Sequence, residues 1–197
     1  MVTTVAVELM PSILVVSALT HELDHPGVLF TGIGKLNAAY ALTCALQHST
    51  PDLVVNYGTA GGLKPGLSGL VEVARVLQSD MNAMPLAPRG QTPEDASPVV
   101  LSSGQPGVLC GSGDQFVTAA DPWLQEQGVE VVDMELFAIA SVCQREGVPW
   151  RAFKYISDHA DRNSGASWHA HLTNGRQIFL QQLERLQANP SATLAAP

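Results

Sequence analysis

Leu53-Val54-Val55-Asn56-Tyr57-Gly58-Thr59-Ala60-Gly61-Gly62 joins a short apolar run directly to a glycine-rich segment. Residues 53–57 are apolar and β-branched enough to read as a buried strand, with Pro51 closing whatever precedes them. The glycines that follow let a backbone approach a ligand closely, and Thr59 adds a hydroxyl. An ordinary turn explains the same glycines. The same texture recurs outward from this stretch. Ile13 to Ala18 reads as a buried strand and Gly27 to Thr31 as a second, short one. Lys35 to Gln47 reads as a helix with Leu36, Ala39, Tyr40 and Thr43 on one face. Leu70 to Leu77 is extended, and Val108 to Cys110 is a strand ending in Gly111-Ser112-Gly113. Asp133 to Glu146 reads as a helix stopped by Gly147 and Pro149. Trp150 to Ile156 is a strand leading into Ser157-Asp158, and Asn174 to Gln187 is a last amphipathic helix. Strands alternating with helices predict an α/β layered domain.

Between Met81 and Pro106 the pattern breaks. Pro85, Pro88, Pro93, Pro98 and Pro106 fit poorly inside regular elements, so a long loop is expected, serving as a lid or a subunit contact. At 197 residues the chain suits one domain, placed over residues 1–188 with a flexible tail over 189–197. Hydrophobic residues make up 46 % and charged ones 14 %, which favours an enzyme with buried strands over a disordered chain. The net charge of -8 argues against sequence-independent nucleic-acid binding, which needs clustered Lys and Arg. Cys44, Cys110 and Cys143 show no paired spacing and read as buried free thiols of a reducing compartment. The first twelve residues lack Lys and Arg, and no apolar run approaches the roughly 20 residues of a membrane helix. A cytoplasmic protein without membrane attachment is the expectation.

One placement organises the candidate site. Glu22, Thr59, Phe116 and Asp158 each lie a few residues past the end of an expected strand. Ligands of open α/β sheets bind outside those carboxyl ends. Other motifs are weaker. His21-Glu22-Leu23-Asp24-His25 matches the zinc-peptidase pattern H-E-x-x-H, but Pro26 and Gly27 break the helix that pattern needs. No metal is expected there. Thr31-Gly32-Ile33-Gly34-Lys35 begins like a phosphate loop, yet Leu36 stands where Ser or Thr is required. Glu135 shares a helical face with Ala138, Ile139 and Val142, so its carboxylate needs a hydrogen-bond partner or a ligand. Asp158 and Asp161 also fit a capped turn, and His169 with His171 fits a solvated pair.

Taken together these segments resemble the methylthioadenosine/S-adenosylhomocysteine nucleosidases of the purine/uridine phosphorylase superfamily. Thr31 to Lys35 through Pro51 to Gly62 is similar to that family's first signature, and Gly111-Ser-Gly-Asp-Gln-Phe116 to its base-pocket segment. Val132-Asp-Met-Glu135 with Ala138 to Cys143 resembles the ribose-binding helix, and Ile156-Ser-Asp158-His-Ala-Asp161 the segment of the catalytic acid. The resemblance implies a three-layer αβα sandwich with a central mixed sheet. It implies hydrolysis of the N-glycosidic bond of an adenine-type nucleoside, without a cofactor, by a homodimer.

Residue by residue, it implies that Glu22 activates water and Asp158 protonates the leaving purine. Glu135 would bind the ribose hydroxyls beside Met134. Phe116 would stack on the base, whose edge the Val117 backbone reads. Thr59, with Ala60 and Gly61, would face the reacting sugar, Ser157 would adjoin the acid, and Trp168 would fall at an aromatic lid. The pattern departs from the family in one region above all: nine residues separate Glu22 from Gly32, where a long hairpin is usual. Related phosphorylases use arginines to hold phosphate. No Arg precedes Arg75, which favours hydrolysis over phosphorolysis. A nucleoside-binding homologue without turnover is the alternative from another class. Methylthioadenosine, S-adenosylhomocysteine, 5′-deoxyadenosine, futalosine and plain purine nucleosides all remain open as ligands.

Overall fold

The computed structural model describes residues 11–119, 121–158 and 164–189, with only the backbone described at 158 and 164–174. Eight strands alternate with four helices. They are β1 (Ile13–Ser17), β2 (Leu29–Phe30), α1 (Lys35–His48), β3 (Leu53–Gly62), β4 (Gly69–Gln78) and β5 (Val100–Ser102). Then come β6 (Val108–Ser112), α2 (Pro122–Glu126), β7 (Val131–Asp133), α3 (Leu136–Glu146), β8 (Trp150–Asp158) and α4 (Ser164–Ala188).

All eight strands join one mixed sheet. Strands β2, β1 and β3 run parallel, and β8 lies parallel to β3 but antiparallel to β4. From β4 the order continues through β6 to β7, which returns to pair antiparallel with the end of β3. Strands β3, β8, β4, β6 and β7 therefore close a ring, with β2–β1 continuing the sheet beyond it.

The period-2 rule sets the layers. Along β3, Leu53, Val55 and Tyr57 pack with Phe179, Leu183 and Leu186 of α4. Val54 points the other way and packs with Ala38, Leu42 and Leu46 of α1 and Ile139 and Cys143 of α3. Helices cover both faces, giving the expected three layers. Helix α3 ends at Gly147 in the left-handed region (φ 67), where Val148 N–H reaches the Cys143 carbonyl, a geometry that suits glycine.

Several elements differ from the sequence expectation. The Gly58–Gly62 segment is no turn but the second half of β3. It stays extended because β8 pairs with it through Gly61, across a register shift at Ala60/Gly61. The helix expected from Asp133 starts at Leu136, because Val131 to Asp133 pair with β6 and β3 as a strand. Helix α4 begins ten residues earlier than read, at Ser164. Its first part carries Trp168, His169 and His171, whose side chains lie outside the described residues, as do Asp161 and the tail from residue 190. In α1 the core stripe is Ala38, Leu42 and Leu46, whereas Leu36 and Tyr40 are 80 % and 73 % exposed.

The Pro-rich segment is longer than typical loops but is anchored. It contains β5, which pairs with β4. Arg89 donates to the Ser79 carbonyl at 2.9 Å and forks onto Asp121 at 2.6 and 3.2 Å, with its guanidinium 4.5 Å from the Trp123 ring centre. That fixes the segment to the start of α2.

Phe179 is the centre of the α4 face, fully buried and stacked 4.3 Å from Tyr57. Phe179→Ala is expected to lower stability by about 3–5 kcal/mol in urea unfolding, the range for a large aromatic removed from a core.

Candidate active site

The site forms where β3 changes partners. On one edge, β1 pairs with residues up to Asn56 and β7 takes over only at Gly61. Between them, Tyr57 to Ala60 have no strand neighbour on that edge. Glu22 occupies this gap. The chain leaves β1 at Ser17 and turns at once, with Glu22 N–H donating to the Leu19 carbonyl. Glu22 is buried, and its Oε1 accepts from the Thr59 N–H at 3.0 Å and the Thr59 hydroxyl at 2.8 Å. Its Oε2 accepts from Ser17 Oγ at 3.4 Å. A carboxylate thus takes the backbone donor that a strand would otherwise have used. After Glu22 the chain is irregular through His25, so His21 and His25 share no helical face, and both are exposed.

A second buried carboxylate stands at the start of α3. Glu135 is the N-cap residue but makes no capping bond with its side chain. Its Oε1 instead accepts from Gly34 N–H at 2.9 Å. Gly34 sits at φ 96, a left-handed backbone that aims this amide away from its own helix. Burial and the neighbouring Asp133 carboxylate push the Glu135 carboxyl up, to about 7, against the pull of Lys154. Glu135, expected within the first turn of the helix, stands instead at its N-cap, and its need for a partner is met by Gly34.

Between the two carboxylates lies a cleft of about 230 Å³. Glu22, Thr59, Ala60 and Gly61 line it from β3 and the β1 turn. Phe116 and Val117 line it from the segment after β6, and Met134, Glu135 and Ser157 complete it. Nine of the eleven expected site residues thus meet in one place. Asp158 ends β8 beside Ser157, its backbone in register with Gly61, but its side chain lies outside the described residues. So does that of Trp168.

Two functional neighbours escaped the sequence reading. Lys154 on β8 is 1 % exposed, and its Nζ lies 2.7 Å from Asp133 Oδ2. A side chain added at Gly58 would meet Lys154 Nζ at 3.4 Å and Glu22 Oε1 at 3.6 Å, so both groups flank the same glycine. The signal was present: Lys154 shares a strand face with Ala152 and Ile156, both buried. A cation on such a face needs a buried anion.

The sequence profile of the Phosphorylase superfamily matches residues 11–99 and 105–195. The chain belongs to the phosphorylase superfamily. Its relatives include the 5′-methylthioadenosine/S-adenosylhomocysteine nucleosidase of Haemophilus influenzae (strain PittEE), 31 % identical over 187 residues, with 81 % of each chain covered. The nucleosidase of the same name from Actinobacillus succinogenes is 33 % identical over 167 residues, covering 72 % of this chain and 71 % of the relative. Among solved structures, a Helicobacter pylori MTAN mutant with 5′-methylthioadenosine in its active site superposes with a TM-score of 0.79 at 21 % identity. That match covers 90 % of this chain and 99 % of the other. The futalosine hydrolase of the same organism reaches 0.77 at 22 % identity, covering 87 % and 96 %. At those identities the structures speak for the fold.

The raised carboxyl of Glu135 has a consequence for stability. An unfolded chain sheds this proton near the ordinary value of 4.5, the folded chain only near 7. Stability therefore falls as pH rises between those values, and the loss is complete above 7. Glu135→Gln removes it. The variant is expected to be more stable than the parent at pH 8, on the order of 1–3 kcal/mol, and to converge with it by pH 4. Urea unfolding at the two pH values checks this.

Proposed function

We propose that this chain hydrolyses the N-glycosidic bond of an adenine-type nucleoside such as 5′-methylthioadenosine or S-adenosylhomocysteine, releasing the purine. The observation that carries the proposal is the Glu22 carboxylate, buried at the cleft wall and held by Thr59 and Ser17. The kinship with curated nucleosidases of that name supports the substrate class.

Three donors leave Glu22 one orientation, which suits a base that aligns water. Water oxygen bonds to the anomeric carbon as the bond to the purine nitrogen breaks and its electron pair leaves with the base. Glu22 takes the proton from water. Asp158, at the end of β8, supplies a proton to the departing purine, and Glu135 holds the ribose hydroxyls beside Met134. Phe116, 55 % exposed at the cleft, offers a face for the base. The products are free base and a 5-substituted ribose. Such acid–base groups each contribute typically ~10²–10⁴-fold.

Hydrolysis, not phosphorolysis, suits the placement of the arginines. Among the described residues, Arg89 is committed to Asp121, Arg151 to Glu72, Arg145 to Asp95 and Arg176 to Asp24, while Arg75 on β4 and Arg185 on α4 are exposed and none lines the cleft. Free thiols at Cys44, Cys110 and Cys143 fit a reducing, cytoplasmic compartment. Among the described residues no helix is long and apolar enough to cross a membrane.

The expected result is release of adenine from methylthioadenosine or S-adenosylhomocysteine in chelator-treated, phosphate-free buffer, followed by chromatography. A strict phosphate requirement, or activity restored only by zinc, would overturn the reading. Glu22→Gln and Asp158→Asn are each expected to lower kcat by roughly 10²–10⁴-fold while nucleoside affinity persists. Full kcat in both variants would remove the site assignment.

A homodimer accompanies this reading. Leu36 and Tyr40 present an apolar strip on the outer face of α1, and Ile33 and Phe116 continue it at the cleft. Met84 and Leu86 are exposed on the anchored Pro-rich segment. Light scattering is expected to give twice the 20.8 kDa chain mass, and Tyr40→Glu to shift it toward the monomer. A fully active monomer of the unaltered chain would contradict the pairing.

A further inference from the structure

Asp133 and Lys154 form the most deeply buried ion pair described, with side chains 1 % and 2 % exposed. Neither takes part in the proton transfers above. Removing two charges from water is unfavourable by several kcal/mol per ion before attraction offsets it, so the pair calls for a reason.

The geometry supplies one. Asp133 Oδ2 accepts from Lys154 Nζ at 2.7 Å and also from Leu136 N–H at 3.0 Å. Leu136 is the first residue of α3, so Asp133 satisfies one of the N–H groups that a helix start leaves without an intrahelical partner. Glu135 occupies the N-cap position yet makes no such bond. Its carboxyl instead accepts from the Gly34 N–H. On its other oxygen, Asp133 accepts from Cys110 Sγ at 3.4 Å, which holds the carboxylate plane.

We propose that Asp133 and Lys154 are a positioning pair for the ribose site: Lys154 holds Asp133, Asp133 holds the first amide of α3, and the pair thereby fixes the backbone that carries Glu135 and the charges its carboxyl faces. This rests on the reading of Glu135 as the ribose-binding group. The described groups facing Glu135 are Asp133 from β7, Lys154 from β8, Glu22 from the turn after β1 and the Gly34 amide before α1. Asp133 and Glu22 favour its protonated form; Lys154 and the Gly34 amide favour the anion. A protonated Glu135 loses acceptor capacity for two ribose hydroxyls, so the pair governs binding near neutral pH.

The two members of the pair must then act in opposite directions. Carboxyl ¹³C NMR titration of the intact chain reads this directly, with the Glu135 inflection identified by its loss in Glu135→Gln. Asp133→Asn keeps an acceptor for Leu136 N–H but removes the negative charge, and the inflection is expected to fall by roughly 1–3 pH units. Lys154→Met is expected to raise it by a similar amount. Should Lys154→Met fail to fold with Asp133 unpaired, Asp133→Asn combined with Lys154→Met restores neutrality. That double variant is expected to titrate between the Asp133→Asn value and the parent. The acid limb of kcat/KM is expected to move in the same directions.

A purely structural pair would lower stability and activity without moving the inflection in opposite senses. Inflections that stay in place, or move together, overturn the proposal. A parent chain that releases no base would sink the nucleosidase reading, while the NMR titration would still decide the role of the pair.

Discussion

The molecule depends on an edge of β3 that no strand fills. Strand β1 stops pairing at Asn56, and β7 arrives at Gly61 from the opposite direction. Backbone N–H groups left in such a gap must be satisfied, because a buried unpaired donor is unfavourable by about 1–3 kcal/mol. Thr59 N–H finds the Glu22 carboxylate. The vacancy between β1 and β7 therefore also opens the cleft and fixes the Glu22 carboxylate at its wall. Fold and site are one solution to a single hydrogen-bonding problem.

The same economy appears in the charges. Glu22, Asp133 and Glu135 are all buried within one region, against Lys154 as the buried lysine among them. Lys154 lies closest to Asp133, and the donors around Glu22 are neutral hydroxyl and amide groups. Glu135 is left with one amide and a raised carboxyl. The interior is thus graded: one carboxylate neutralised, one solvated by dipoles, one held by a single amide with its carboxyl raised. On the proposed reading, that third carboxylate is the one that meets the ligand's hydroxyls, and its raised carboxyl lowers stability above pH 7.

Much of this was legible in the residues. Apolar runs at 13–18, 53–57 and 150–156 mark strands, and Glu22 and Phe116, beyond the ends of β1 and β6, converge on the cleft with Thr59, which lies inside β3 and not past its end. What escaped depended on tertiary pairing. Gly58 to Gly62 read equally as a ligand-approaching segment or an ordinary turn, not as strand, because glycine is poor in strands, yet pairing with β8 keeps it extended. The strand Val131–Asp133 leaves no mark in the sequence, and Asp133 reads as the start of the following helix, because three residues carry no period of their own. Leu36 and Tyr40 share one apolar face, but α1 carries a second apolar stripe at Ala38, Leu42 and Leu46, and periodicity cannot say which one the sheet takes. Lys154 was passed over as an ordinary strand residue, although its buried neighbours two positions either side already required a partner.

The short connection from Glu22 to Gly32 raises the question of whether the carboxylate is placed by its connection or by its contacts. The contacts answer it. Glu22 is three residues past Leu19, whose carbonyl it bonds, and its oxygens are held by Ser17 and Thr59. None of these partners lies in residues 23–31. The returning chain is fixed separately, by β2 alongside β1 and by Thr31 and Gly32 N–H groups on the Ser17 and Ala18 carbonyls. Leu23, fully buried against the α4 face, pins the turn from the outer side. The segment between Asp24 and Val28 only has to bridge two ends that are already anchored, and its length is free to vary. Shortening it leaves the geometry of Glu22 intact, because that geometry is written in β1 and in the open edge of β3.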